Sequence, residues 1–325
     1  MNDSKLALVA IGRNEGERLR KCLASVAGPG ITLVYVDSGS TDGSPTTARA
    51  MGCAVVDLDL SIPFTAARAR NAGFALALQL SPHIEYVQFV DGDCEVVGSW
   101  MGVALAFLQS HPQAAAACGR RRERFPSSTV YNQLCDLEWD SPIGQARSCG
   151  GDVLMRVQAL QGVGGYRNSL IAGEEPELCV RLRAAGWTLW RLDAEMTLHD
   201  AAMTRFGQWW LRSKRAGYAY AEGAWLHGAP PERHNVRELR RIVLWSLLLP
   251  TTILLLSALD ARLLLLALVY PLQMARLALQ FKPLQLLSWQ RALFLTLGKF
   301  AEGQGALQFT FNLLRRKPAT LIEYK

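Results

Sequence analysis

Short apolar runs that end on glycine or aspartate alternate with helical periodicity over the first part of the chain. "LALVAIG" (6–12) reads as a buried strand, and "ERLRKCLASV" after it puts Leu19, Cys22, Leu23 and Val26 on one helical stripe. "ITLVYVDSGSTDG" repeats the arrangement, a β-branched run entering an Asp/Ser/Gly turn, and "CAVVDLDL" reads as a third strand. "TAARARNAGFALALQL" predicts a helix with Thr65 as its cap, and "YVQFVDGD" a fourth strand. Strands alternating with helices predict an α/β domain built on a parallel sheet covered by helices. Ligands bind such sheets at the carboxyl ends of the strands, where Asp37 and Asp91 both stand.

After Pro126 the pattern loosens. "STVYNQLCDLEWD" reads as helical and "GGDVLMRVQAL" as a strand running into a helix. "GEEPELCVRLRAAGW" is clearer: Pro176 suits the first helical position, Glu177 faces Arg181 one turn on, and Gly186 suits the C-terminal cap. Glu175 precedes a proline, which favours an extended backbone and leaves its carboxylate at the positive end of the helix.

Beyond residue 235 the composition changes. Ile242 to Leu259 carries no charge, and after Asp260-Ala261-Arg262 a second apolar run covers Leu263 to Ala275. The first is near the lower length limit of a membrane span, about 17–25 residues. The second reaches that length only if Arg276 snorkels. Arg237, Arg240 and Arg241 before the first run, and Arg276 and Lys282 after the second, fit a hairpin that enters and leaves on the cytoplasmic side. Pro250 and Pro271 also allow a kinked re-entrant hairpin, and a buried hairpin in a soluble bundle is the alternative. The expected division is therefore 1–235 for an α/β domain and 236–325 for a helical membrane-associated region.

Charge follows the same division. Residues up to 204 hold 18 Lys and Arg against 22 Asp and Glu, while the rest hold 17 against 6. The basic surplus lies beside apolar runs, which favours an anionic membrane surface over nucleic acid. Seven scattered cysteines without a CxxC pair read as buried thiols in a reducing compartment. The first twenty residues lack the apolar run and cleavage-like site of a signal peptide.

Asp91-Gly92-Asp93 is either a turn closing a strand or a carboxylate pair for a metal. "VAIGRNEGERL", "VYVDSGSTDGS", "ARARNAGF", "FVDGDCEV" and "GGDVLMR…GEEPELCVRLRAAGW" follow the order and spacing of family 2 glycosyltransferases, which the chain resembles over residues 5–205. The resemblance implies the GT-A fold, a Rossmann-like α/β domain, and inverting transfer from a nucleotide-diphosphate sugar. A UDP-sugar is preferred, since Asp37 suits a uracil imide N–H. Mg²⁺ or Mn²⁺ is implied as cofactor, because a departing diphosphate needs its charge stabilised and hard cations take carboxylate oxygens.

The resemblance makes Asp93 the direct metal ligand and His199, in "LHD", a further one, against an ordinary hydrogen-bonded histidine. Donor contacts fall on Ile11, Glu15, Asp37, Arg70, Asn71, Asp91, Gly151, Asp152 and Arg212, the last in a segment that stands where relatives have QxxRW. Trp209 and Trp210 there could stack on a sugar or belong to the core. The base that deprotonates the acceptor hydroxyl is Glu175, in place of the usual aspartate, with Glu174 in reserve. "RRRERF" reads as a solvated edge or a contact for phosphate on a lipid-linked acceptor.

The reading is an enzyme at the cytoplasmic face of the inner membrane that acts on a glycan or lipid-linked acceptor in surface polysaccharide or glycolipid assembly. Transfer to a polyprenyl phosphate and non-catalytic binding of a nucleotide sugar stand as alternatives. No nucleic-acid recognition motif is present.

Overall fold

The computed structural model describes residues 5–317 and 320–323, except Ala27 and Pro29. The chain forms two compact units, residues 1–126 with 135–202, and 127–134 with 203–325.

The first unit holds a nine-stranded sheet: β1 (Leu6–Gly12), β2 (Ile31–Asp37), β3 (Ala54–Asp57), β4 (Tyr86–Asp91), β5 (Cys94–Val96), β6 (Ala114–Glu123), β7 (Gly144–Gln145), β8 (Val153–Arg156) and β9 (Thr188–His199). The order is β3-β2-β1-β4-β8-β6-β9-β5, with β7 on β9. β3, β2, β1 and β4 are parallel, as the alternation predicts. The sheet then departs from the expected all-parallel form: β8 is antiparallel to β4 and to β6, and β5 and β7 are antiparallel to β9.

The parallel strands are near-continuous apolar runs because both faces are covered. Ala7, Val9 and Ile11 of β1 enter one core with Val34, Val36 and Phe89; Leu6, Leu8 and Ala10 enter the other with Leu19, Leu23 and Tyr35. Each fully buried valine, leucine or isoleucine contributes about 1.5–3 kcal/mol. The helix Ala66–Leu80 begins where the Thr65 hydroxyl accepts the Arg68 N–H at 3.1 Å. It lies close on the sheet because residue 73 is glycine; a Cβ there would stand 2.7 Å from Val36 Cγ2.

Two local expectations change. The helix Glu174–Ala184 starts after Gly173, whose φ of 75° is left-handed, so Pro176 is its third residue and Glu175 is helical, not extended. A proline is tolerated there because first-turn N–H groups have no intrahelical acceptor. Gly186 stands just past the helix end with φ +89°, the left-handed cap that glycine adopts without strain.

In the second unit, Phe206–His227 runs along Leu286–Leu314. Gly217 faces the Glu302 backbone and Gly305 faces the Lys214 and Tyr218 backbone, so neither site has room for a side chain. This compact unit takes in residues 127–134 and 203–325. The hydropathy change marks where exposed apolar surface starts, while packing starts one helix earlier. Trp209 is buried with its ring 4.8 Å from Phe294, and Trp210 Nε1 donates to Gln304 Oε1 at 3.0 Å, which places both in this packing.

Two helices, Val236–Ser257 and Ala261–Gln280, are long and apolar enough to cross a membrane, 22 and 20 residues with mean hydropathy 1.7 and 1.5. Leu254, Leu255, Leu265 and Leu272 are each 65–69 % exposed. The described residues do not bury this surface as a soluble core would.

Candidate active site

β4 ends at Asp91 and the chain turns at once into β5. The Gly92 N–H donates to the Ile11 carbonyl at 2.8 Å, which ties the turn to the end of β1. A Cβ on Gly92 would lie 3.1 Å from that carbonyl and 3.2 Å from Glu15 Cγ, so glycine permits the closure. Glu15 itself pairs with Arg18 at 2.8 Å. The antiparallel register of β5 with β9 sets Cys94 directly opposite His199.

That pairing brings Asp93 and His199 together, with Asp93 Oδ2 at 3.3 Å from His199 Nε2. Both are buried, and His199 Nδ1 finds no hydrogen-bond partner among the described residues. Ligand-capable atoms of Asp93, Cys94 and His199 lie within 4.8 Å of one another. Burial pushes the Cys94 thiol well above its ordinary value, so it stays protonated.

Asp91 is the hub of a second constellation. Its carboxylate receives Arg70 Nη2 at 2.8 Å on Oδ1 and Arg121 Nη2 at 2.8 Å on Oδ2. Burial alone would raise its pKa, but the two guanidinium groups outweigh that and hold it below the usual carboxylate range. Asp152 lies beneath, fully engaged: Oδ1 accepts the Asp91 N–H at 3.0 Å, and Oδ2 accepts Arg121 Nε at 2.9 Å and the Thr197 hydroxyl at 2.8 Å. Gly151 is pressed against the network, since a Cβ there would be 2.6 Å from Arg70 Nη2. Burial disfavours the charged form of Arg70, yet Asp91 and Glu174 more than compensate and its pKa is raised.

The two helix-start carboxylates differ in setting. Glu174 Oε1 accepts from Arg70 Nη1 at 2.7 Å. Glu175, 2 % exposed, accepts the Cys149 N–H at 2.7 Å and the Cys179 thiol at 2.8 Å on Oε1, while Oε2 is buried and has no hydrogen-bond partner among the described residues. Burial raises the Glu175 pKa despite its place at the helix N-terminus. Burial thus outweighs the hydrogen bonds from the Cys179 thiol and the Cys149 N–H, which pull the other way.

Other predicted residues take quieter positions. Asp37 is buried and holds its turn, with Oδ2 accepting the Gly39 and Ser40 N–H groups at 2.9 and 2.7 Å and Oδ1 the Tyr35 hydroxyl at 3.1 Å. Asn71 clasps the turn before the acidic helix, donating to Tyr166 O and Asn168 Oδ1 at 2.7 Å each. Arg212 is half-buried on Phe206–His227 in the second unit. Arg121 was not foreseen, nor was Trp139, over whose ring the Arg121 guanidinium lies at 5.3 Å and whose edge meets His199 at 4.7 Å. Only the strand register of "RRRE" could have singled out its second arginine.

An acidic turn at the carboxyl edge of this sheet, with a histidine brought beside it by the last long strand, stands in a fold similar to that of GT-A glycosyltransferases. Residues 9–157, a little under half of the chain, match the family model described as glycosyl transferase family 2. A TPR repeat-containing protein of Synechococcus elongatus is 29% identical over 140 residues, 43% of this chain, and the match spans 32% of that protein's length. Glycosyltransferase AglE of Haloferax volcanii is 24% identical over 247 residues, 72% of this chain and 77% of that one. In fold the chain is similar to the mannosyltransferase PcManGT from Pyrobaculum calidifontis, solved in complex with GDP-Man and Mn²⁺. The TM-score is 0.66 at 18% identity, covering 95% of this chain and 87% of that one.

Proposed function

We propose that this glycosyltransferase moves a sugar, with inversion, from a nucleotide-diphosphate donor to a hydroxyl of a glycan or lipid-linked acceptor at the cytoplasmic face of the inner membrane. The observation that carries the reading is Asp93 beside His199, whose Nδ1 is buried with no hydrogen-bond partner among the described residues. A buried carboxylate beside an imidazole fits a divalent cation, and such mixed donors suit Mn²⁺ better than Mg²⁺. A cation held by Asp93 and His199 would neutralise charge on the departing diphosphate. The Mn²⁺ in the Pyrobaculum mannosyltransferase supports this choice.

The chain's own groups divide the remaining work. Arg70 and Arg121 fix Asp91, which leaves the strand end rigid beneath the donor. Glu175 is the better base of the two glutamates, because burial raises its proton affinity whereas Glu174 is committed to Arg70. Three of roughly four lone-pair positions on the Asp37 carboxylate are used, so one is left for a uracil imide. The leucine surfaces of Val236–Ser257 and Ala261–Gln280 enter the bilayer, where arginines flanking them meet anionic headgroups.

The near-complete burial of Glu175 favours one second reading, a polyprenyl-phosphate acceptor that arrives ionised and needs no base. Donor turnover measured over a panel of nucleotide sugars with Mn²⁺ and Mg²⁺, in the parent and in Asp93→Asn, tests the main reading. Metal-independent turnover unaffected by Asp93→Asn would refute it.

A further inference from the structure

The run Arg120-Arg121-Arg122 divides its work. Arg121 belongs to the Asp91 network, while Arg120 and Arg122 line a separate open cavity of about 340 Å³ with Arg191 and the carboxylates of Asp140, Asp193 and Glu195. Arg122 and Glu195 pair at 3.2 Å on the exposed rim. The floor is different. Arg120 and Arg191 are 8 % and 4 % exposed, so two guanidinium groups are held out of water side by side.

Arg120 is paired with Asp136, and the shortfall lies at Arg191. Arg120 spends both Nη atoms on the Arg121 carbonyl and on Asp136, which leaves Nε 3.4 Å from Asp140 Oδ1. Arg191 gives Nη1 to the Leu192 carbonyl, its Nη2 is 4.0 Å from the same Asp140 oxygen, and its Nε is buried with no partner among the described residues. Asp140 is itself 63 % exposed, so it offers both arginines one loosely held oxygen. A buried charge short of hydrogen bonds is costly, and guanidinium groups form strong charge-assisted bonds to phosphate as they do to carboxylate.

We propose that this cavity is a phosphate-binding site, with Arg120 and Arg191 as its cationic floor and Asp140 as the carboxylate that occupies the seat until a phosphate displaces it. The two arginines supply charge-assisted hydrogen bonds to a phosphomonoester oxygen. The rim at Arg122 and Glu195 is open to a ligand larger than the ion itself. The proposal concerns binding alone and stands apart from the reading of Asp93, His199 and Glu175.

The test is binding of inorganic phosphate to the full chain in detergent, measured by titration calorimetry and thermal shift against chloride at matched ionic strength. Parent protein should bind phosphate. Asp140→Asn should bind several-fold more tightly because the competing carboxylate is gone. Arg191→Gln should lose about tenfold or more, the scale of one charged hydrogen bond. A second arm uses phosphatidylcholine vesicles doped with phosphatidic acid, which presents the same group on a lipid. Response to free phosphate assigns a soluble ligand; response to doped vesicles alone, abolished by Arg191→Gln, assigns a lipid phosphate. If Asp140→Asn does not strengthen binding and neither probe exceeds its control, the site does not exist. Because Asp140→Asn is a gain measured without touching either arginine, misfolding of Arg191→Gln would not obscure the result.

Discussion

Gly151→Ala adds one methyl group at the tightest point of the site. Its Cβ would stand 2.6 Å from Arg70 Nη2 and 3.2 and 3.5 Å from the Asp91 oxygens, where ordinary contact begins at 3.4 Å. The guanidinium would have to retreat by about 0.8 Å, the difference between those distances. Arg70 cannot swing into solvent, because it is 2 % exposed, bonded to Glu174 at 2.7 Å and laid over the Tyr166 ring at 5.7 Å. The displacement therefore falls on the 2.8 Å bond to Asp91. Losing a charge-assisted hydrogen bond costs about 1.5–3 kcal/mol. For a unit of this size that lowers Tm by about 3–12 °C. Misplacing a site group by about 1 Å costs roughly 10²-fold in rate, so kcat/KM for donor turnover should fall by that order. Gly102→Ala, on an open helix face with nothing within 4 Å, is the control and should leave both unchanged or slightly raise Tm. Steady-state donor turnover together with thermal unfolding decides the matter. Parental kcat/KM in Gly151→Ala would show that the Arg70–Asp91 geometry does not matter to the reaction.

Other outcomes follow from the same geometry. Glu175→Gln should lower kcat by about 10²-fold with donor affinity kept, and Glu174→Gln should act mainly by loosening Arg70; an unaffected Glu175→Gln would favour the phosphate-acceptor reading. Because burial raises the Glu175 pKa in the folded state, the folded protein holds that proton more tightly, so its stabilising effect is present at low pH and is lost as pH rises through the raised value. Unfolding measured against pH should show a shallower decline on that limb in Glu175→Gln, and an identical profile would count against the burial argument. Full-length protein should float with anionic vesicles and resist salt extraction, and aspartates at Leu255 and Leu265 should weaken flotation. Unchanged flotation in that double variant would place the contact elsewhere.

The parallel half of the sheet was legible because strands covered on both faces are continuous apolar runs, and β1, β2 and β4 are such runs. β6 opens with four alanines, which carry little strand preference, and β9 alternates unevenly because its burial does. Both strands were missed, so β8, itself legible as a strand, had no visible partner beyond β4. Asp91, Asp93, Arg70 and Gly151 announced themselves through motif and resemblance, and the structure brings all but Asp93 into one network while setting Asp93 against His199. Arg121 could not be told from its two neighbours, since only the bulged register of β6 on β9 decides which arginine meets Asp91. The close packing of Phe206–His227 on Leu286–Leu314 at Gly217 and Gly305 leaves no mark on composition.

Mn²⁺ binding followed by electron paramagnetic resonance, with and without a nucleoside diphosphate, addresses the central claim without relying on turnover. The parent protein should bind Mn²⁺ weakly alone and tightly with nucleotide, since Asp93 and His199 provide only part of a coordination shell and diphosphate oxygens complete it. Asp93→Asn should abolish the nucleotide-dependent signal while the protein stays folded. The same signal in the parent and in Asp93→Asn would contradict the assignment of this site as the metal centre of the transferase.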